Sequence, residues 1–536
     1  MQTTLRKLTV AWLLAIFLLL PALARAETGM PVWTNRYNGP GNRIDQAAAV
    51  VVDGSNNVIV TGYSDGGGSY YDYSTIKYSS AGVPLWTNLY NSPGNGDDRA
   101  TALTVDASNN VIVTGYSDSP QGHPSPLNHD YATVKYSSDG TPLWTNRYDG
   151  PAKTNDYPTA VVVDHSGDVI VTGYSAGTNS PLSPDYDYAT IKYSSAGVPV
   201  WTNRYNGPVG WDDKAAAVAV DDSNNVIVTG NSYKGSGYPS YMTIKYSSAG
   251  VLLWTNRYIG PANWGDFATA VVVDGSNSVI VTGYSYGSAS AQDYATIKYS
   301  SAGLPLWTNR YNGTGNWTDL AQAVAVDRSN NVIVTGYSAT IGGSPYKWDY
   351  VTIKYSSDGL PLWTNRYNGP GNYQDCASAV AVDACDNVVV TGYSMGSGGG
   401  YGYATIKYSS AGLPIWTNRY EAGLFDPVPV FLALDRSNNV ILAGTSPGSG
   451  TANYITTIKY ICVPSPVMTS LPLTNGTFQM RVDEMLQPGT LVIEASTNLV
   501  GWAPVFTNTT PTNVLFYTDP NAGSLPARFY RVYQFP

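Results

Sequence analysis

One phrase recurs eight times along this chain and leaves few folds open to it. Its clearest marker is the tryptophan of LWTNRY or a close variant, at Trp33, Trp86, Trp144, Trp201, Trp254, Trp307, Trp363 and Trp416. The spacings are 53, 58, 57, 53, 53, 56 and 53 residues. A period of that length built from short strands means a repeat architecture.

One repeat shows its parts. Ala215–Asp221 is small and β-branched, and Asn225–Asn231 is a β-branched run closing on Gly230. Tyr241–Tyr246 and Leu252–Tyr258 alternate large apolar with polar residues. Val, Ile, Thr, Tyr and Trp fill these runs, Gly, Asn, Ser and Pro fill the gaps, and no window holds a 3.6-residue apolar period. Ser247–Gly250 and Asp221–Asn225 supply turn chemistry, with Gly free to take positive φ and Asp and Asn able to bond their own backbone. Four antiparallel strands per repeat is the pattern of a propeller blade.

The ends set the phase. The array opens on a Trp strand (residues 32–37) and closes on an IKY strand (residues 455–460). Placing the Ala-rich run innermost, where small side chains let strands converge, leaves the last blade without an outer strand. Residues 32–37 then supply it and tie the ring shut. The expected fold is all-β: an eight-bladed β-propeller of four-stranded blades over residues 27–461, followed by a small C-terminal β-sandwich-like module.

Residues 1–26 read as a secretory signal peptide. Arg6 and Lys7 precede an apolar stretch from Leu8 to Leu20, and Ala24-Arg25-Ala26 offers a cleavage site. That stretch is short for a membrane span. The expected product is a secreted or cell-surface protein, monomeric, with no transmembrane segment. Losing Arg6, Lys7 and Arg25 takes the formal charge from −9 to −12, which argues against a nucleic-acid partner. Cys376, Cys385 and Cys462 are an odd set with no C-x-x-C motif, and only three histidines occur (His123, His129, His165), so no zinc site and no cofactor are expected. After Tyr460 the repeat stops: 462–467 reads as a Pro-containing linker, and residues 468–536 carry several strand-like runs.

The order DYATIKYSSAG, PLWTNRY, Asp, AxAVxVD and NVIVTGYS resembles the SBBP-type bacterial β-propeller repeat, over about residues 31–460. The resemblance implies a secreted or cell-surface propeller from a family without a generally assigned activity. The tail EASTNLVGWAPVFTNT…FYTDPNAG…ARFYRV is similar to a short C-terminal β-module of secreted Gram-negative bacterial proteins, which implies attachment or export.

Two sets of residues are candidates for function. Asp45, Asp98, Asp156, Asp213, Asp266, Asp319 and Asp375 each lie 12 residues after the Trp marker, and Asp426 is the eighth, shifted by two. They are expected to form a carboxylate ring at the mouth of the central channel. Its two readings are a cation site and a set of structural acceptors for backbone N–H groups or repeated cations. Recurrence in every blade favours the structural one, with no bound metal. A second repeated aspartate, in the VDxSNN turn, offers one carboxylate and reads as a turn former. Function is better sought where repeats differ, on the variable loops of one face. Trp211, Trp264, Trp317 and Tyr373 occupy equivalent loop positions in successive blades, an arc stepping by about 45° per blade. These rings either stack on an extended ligand such as a polysaccharide or pack the inter-blade loops. No G-x-S-x-G, H-E-x-x-H or P-loop is present. A polysaccharide-binding, non-catalytic role is therefore expected. The alternatives are a secreted lyase or hydrolase using ring carboxylates, and a purely structural surface protein.

Overall fold

The computed structural model describes residues 27–535 except 68–69, 119–127, 179–184, 236, 289, 341–346, 425–427, 449–451, 465–466, 472–477, 484–489, 498–500, 510–513 and 521–528. The expected signal peptide, Asp426 and His123 lie outside the described residues. Every regular element among the described residues is a β-strand.

Residues 27–464 form eight four-stranded sheets. Blade 1 runs Asp45–Val52, Val58–Asp65, Tyr71–Tyr78 and Pro84–Tyr90, each strand antiparallel to the next. Blades 2 to 7 repeat that order, starting at Asp98, Asp156, Lys214, Asp266, Asp319 and Asp375. Blade 8 holds Phe431–Leu434, Val440–Pro447 and Asn453–Pro464, and its outer strand is Glu27–Tyr37 from the start of the chain. The ring is therefore closed by the two ends of the array, in the phase that the terminal phrases imply.

Hydrophobic packing runs between blades rather than within them. Ile59 and Tyr73 of blade 1 share a core with Ala100, Val111, Val113 and Val134 of blade 2. The same pattern crosses the seam, where Val58, Val60 and Ile76 of blade 1 pack on Ile441, Ala443 and Ile455 of blade 8. Because both faces of the second and third strands are covered, these read as near-continuous buried runs.

Polar side chains recur as latches. The tryptophans of seven outer strands lie against the Ser-Ser-x-Gly turn of the next blade: Trp201 Nε1 donates to Ser248 O at 3.1 Å, and Asn203 Nδ2 donates to Gly250 O at 2.8 Å. Gly250 has φ +81, and a Cβ there would stand 2.8 Å from Trp201 Cγ, so both backbone and ring require glycine. Trp416, before the seam, keeps the contact that all eight tryptophans make with a tyrosine of the next blade, here Tyr460 at 6.4 Å between centroids, but among the described residues shows no such turn bond. The VDxSNN aspartates are turn formers: Asp221 accepts the N–H of Ser223 and Asn225, both at 2.9 Å. Each also holds the lysine of its own blade, from Lys77–Asp53 to Lys459–Asp435, at 2.7–2.9 Å. Those lysines reach on to the next blade, as where Lys245 Nζ donates to Ser301 O at 3.0 Å.

Cys462–Pro536 belongs to a second compact unit, divided from Pro31–Ile461. Its described residues form two three-stranded sheets, Val467–Ser470 with Phe478–Asp483 and Val514–Asp519, and Ala503–Asn508 with Thr490–Ser496 and Phe529–Phe535. Met480, Val482 and Tyr517 of one sheet pack on Leu491 and Ile493 of the other, a small sandwich. The expected linker at 462–467 is shorter than its prolines suggest, since one strand runs through Pro464 and the next begins at Val467. Pro464 ends its strand, a position that tolerates a missing N–H.

Candidate functional site: the loop face of blades 4 to 6

The aspartate ring is the first candidate. Asp45, Asp98, Asp156, Asp266, Asp319 and Asp375 open the innermost strands of their blades, and Asp213 stands one residue before its own. All seven are 0–1% exposed, so they do not display carboxylates at a channel mouth as the spacing suggests. The loop before each strand folds back over them. Gly39 N, Gly260 N and Gly313 N donate to Asp45, Asp266 and Asp319 at 2.8, 2.8 and 2.6 Å, and Ser92, Gly150, Gly207 and Gly369 do the same for the others. Burial pushes the carboxyls of Asp45, Asp213 and Asp319 up to about 6 and that of Asp156 to about 7, against the lowering effect of those N–H bonds. Asp426 lies outside the described residues.

The Asp156 site carries extra charge. Carboxylate oxygens of Asp130, Asp149 and Asp156 lie within 4.8 Å of one another, close enough to share a cation. Two protein cations are already there: Arg147 bonds Asp130 and Lys153 bonds Asp149, each at 2.8 Å. Protein charge thus largely neutralises the group.

The aromatic arc is the second candidate, and its four members differ. Trp264 is 63% exposed, Trp317 56% and Trp211 46%, whereas Tyr373 is half-buried with its carbonyl accepting Trp348 N at 3.1 Å. An apolar side chain packing a loop would lose most of its exposure, so the first three do not behave as anchors. Trp264 and Trp317 come together as the walls of a groove of about 640 Å³ between blades 5 and 6. Pro261, Ala262, Tyr286, Gly287, Ser288, Ser290, Ala291 and Asn316 also line it. Trp211 and Tyr373 are not part of it. Trp211 packs against Tyr233 of its own blade, 5.3 Å between centroids.

Two residues of this site escape a reading confined to equivalent positions. Tyr238, 56% exposed, lies 6.5 Å from the Trp264 ring at an interplanar angle of 33°, extending the aromatic wall into blade 4. Tyr286 lines the groove from the end of the second strand of blade 5. Both lie in or beside the loop joining second and third strands, and an aromatic on a loop of variable content was the available signal.

A contrasting sector covers blades 1 to 4, at the residue that follows the ring aspartate. Arg99 lies over Tyr63 and Tyr71, at 4.9 and 4.6 Å, and Lys214 lies over Tyr174 and Tyr186, at 5.4 and 4.9 Å. Each is also ion-paired two residues back, Arg99–Asp97 at 3.0 Å and Lys214–Asp212 at 2.7 Å. His129 Nδ1 meets Asp118 at 2.7 Å in the same sector.

No family model matches the chain. An uncharacterised WD repeat-containing protein of Acanthamoeba polyphaga mimivirus is 25% identical over 426 residues, 65% of this chain and 29% of the relative's length. Among solved structures, a protein of unknown function from Dyadobacter fermentans aligns with TM-score 0.35 and 8% identity, covering 83% of this chain and 100% of its own. A putative gluconolactonase aligns with TM-score 0.28 and 12% identity, over 66% of this chain and 96% of its own. With the sheet order, the WD-repeat relative agrees that this is a β-propeller repeat protein.

Proposed function

We propose that this chain is an exported, monomeric propeller of the SBBP type whose loop face binds an extended polysaccharide without catalysing a reaction on it. The observation that carries the reading is the groove between Trp264 and Trp317, two rings more than half exposed on adjacent blades. Its size falls within the range of about 300–1,000 Å³ usual for ligand sites. Sugar rings present apolar C–H faces that stack on indoles, while their rim hydroxyls bond side chains such as Ser288 and Ser290. Among the described residues no carboxylate lines the groove, and the ring aspartates are sealed under their own loops, which supports binding over acid–base chemistry. Among the described residues no helix is long and apolar enough to cross a membrane.

The test is retention on polysaccharide matrices. Trp264→Ala and Trp317→Ala should each weaken retention while leaving the melting temperature nearly unchanged. Variants that lose stability and keep binding would make the rings structural and end this reading.

A further inference from the structure

Resting on that reading, we infer that the glycan taken by the groove is neutral, and that Tyr238 is a third stacking residue for it. Among the described residues the groove is lined by aromatic, aliphatic, hydroxyl and amide groups, with neither a cation nor a carboxylate. A uronate or sulfate brought between Trp264 and Trp317 would shed water without gaining a counter-charge. The chain's net charge of −9 adds long-range repulsion to that local cost.

Two cations of the loop face are committed elsewhere. Arg99 is held by Asp97 and two tyrosine faces, and Lys214 by Asp212 and two more. Lys234 is exposed on the loop that carries Tyr238 but does not line the groove. Hydroxyls are the groups that this lining can match. Ser288 and Ser290 can each donate and accept, which suits a sugar hydroxyl and adds nothing specific for an anion.

Tyr238 extends the platform. Its ring and that of Trp264 are inclined by 33°, and both are more than half exposed, so a chain leaving the groove toward blade 4 meets a second aromatic face. Trp211 does not line the groove and packs on Tyr233.

Affinity electrophoresis of the mature protein tests this with matched probes. Hydroxyethyl-cellulose, dextran and galactomannan serve as neutral polymers, and carboxymethyl-cellulose, alginate and polygalacturonate as acidic ones. At least one neutral polymer should retard the protein, equally at about 50 mM and about 500 mM salt because no ion pair is made. Retardation should fall about tenfold in Trp264→Ala and severalfold in Tyr238→Ala, as each removes one stacked ring. Retardation by acidic polymers alone, falling with salt and still dependent on Trp264, would overturn the neutral assignment and leave polysaccharide binding standing. A Tyr238→Ala variant retarded like the parent would remove that residue from the site. No retardation by any polymer would overturn both readings.

Discussion

Leu89 pairs with Ser74 across the third and outer strands of blade 1, two residues along from the buried Asp72. In blades 2, 3, 5 and 6 an arginine holds the position of Leu89 and bonds the aspartate 17 residues before it. Those pairs are Arg147–Asp130, Arg204–Asp187, Arg310–Asp293 and Arg366–Asp349, at 2.7–2.8 Å. Asp72 keeps the burial and lacks the cation. Burial, followed by the fields of Asp98 and Asp65, pushes its carboxyl up to about 6.

Leu89→Arg should therefore stabilise the propeller. The new guanidinium would meet Asp72 and, by analogy with Arg204 on Tyr148 at 3.1 Å, the Tyr37 hydroxyl across the seam. A hydrogen-bonded charge of this kind contributes about 1–3 kcal/mol. Thermal unfolding at pH 7.5 should show a higher Tm for the variant, with the gain shrinking by pH 5, where Asp72 is protonated in the parent. An unchanged or lower Tm at pH 7.5 would show that Leu89 is matched to its site.

The parent should be most stable in mild acid. Asp45, Asp72, Asp213 and Asp319 have carboxyls raised to about 6, and Asp156 to about 7. Groups raised on folding contribute stability in full below the unfolded value, about 3.9, and lose it as pH rises through 6–7. The turn aspartates go the other way. Burial would raise Asp53, Asp221 and Asp383, but lysine and asparagine bonds outweigh it and leave them below the usual range. Their contribution is present above about 3.9 and is lost as pH falls toward their folded values. A Tm series from pH 3 to 9 should peak between about 4 and 6; a rise continuing to pH 8 would contradict the burial of the ring.

Gly167 marks a missing latch. In the other seven VDxSNN turns the corresponding residue is Asn, or Asp386, at φ 59–63. Its side-chain oxygen accepts a backbone N–H from the preceding blade at 2.7–3.2 Å, Arg436 to Asn56 closing the ring. Glycine takes the turn at φ +83 but offers no acceptor to Ala107 N. A Cβ at Gly167 meets only Ser195 Cβ at 3.7 Å, so Gly167→Asn has room. It should raise stability by about 0.5–1.5 kcal/mol, and Asn330→Gly should lower it by a similar amount, both read from urea midpoints.

The two classes of tryptophan should separate cleanly. Trp254 packs with Tyr258, Val271 and Val273 around a buried inter-blade core and donates to Ser301 O at 3.1 Å, so Trp254→Ala should cost about 2–4 kcal/mol. Trp264→Ala should cost under about 0.5 kcal/mol, as for an exposed site. Equal losses would put Trp264 in the core.

Deleting 27–37 should open blade 8 along its outer edge. It removes the bonds from Trp33 Nε1 to Ser80 O at 3.2 Å and from Asn35 Nδ2 to Gly82 O at 2.7 Å, and leaves Asn453–Pro464 as an unpaired edge. Loss of the cooperative unfolding transition, with oligomers on size exclusion, is the expected result; a monomer melting like the parent would mean that the seam is closed by other contacts.

The sequence by itself determined the blade, the number of blades and the phase of the ring. Each of these rests on contacts that recur at a fixed offset: two or four residues along in the Asp221 turn, or one repeat along from Asn203 to Gly250. Such contacts must be written again in every repeat, so periodicity exposes them. Only the tertiary structure decided the rest. Spacing alone arranged Asp45 and its counterparts in a ring, but whether a carboxylate faces a channel or its own loop depends on how the five residues between Gly39 and Asp45 fold, and the loop closed over it. Spacing likewise made Trp211, Trp264, Trp317 and Tyr373 equivalent. Their surroundings come from loops that do not repeat, in length or content, so two of them wall a groove, one packs on Tyr233 and one is half-buried. Exposure of a loop residue is set by neighbours from adjacent blades, and no single repeat contains that information.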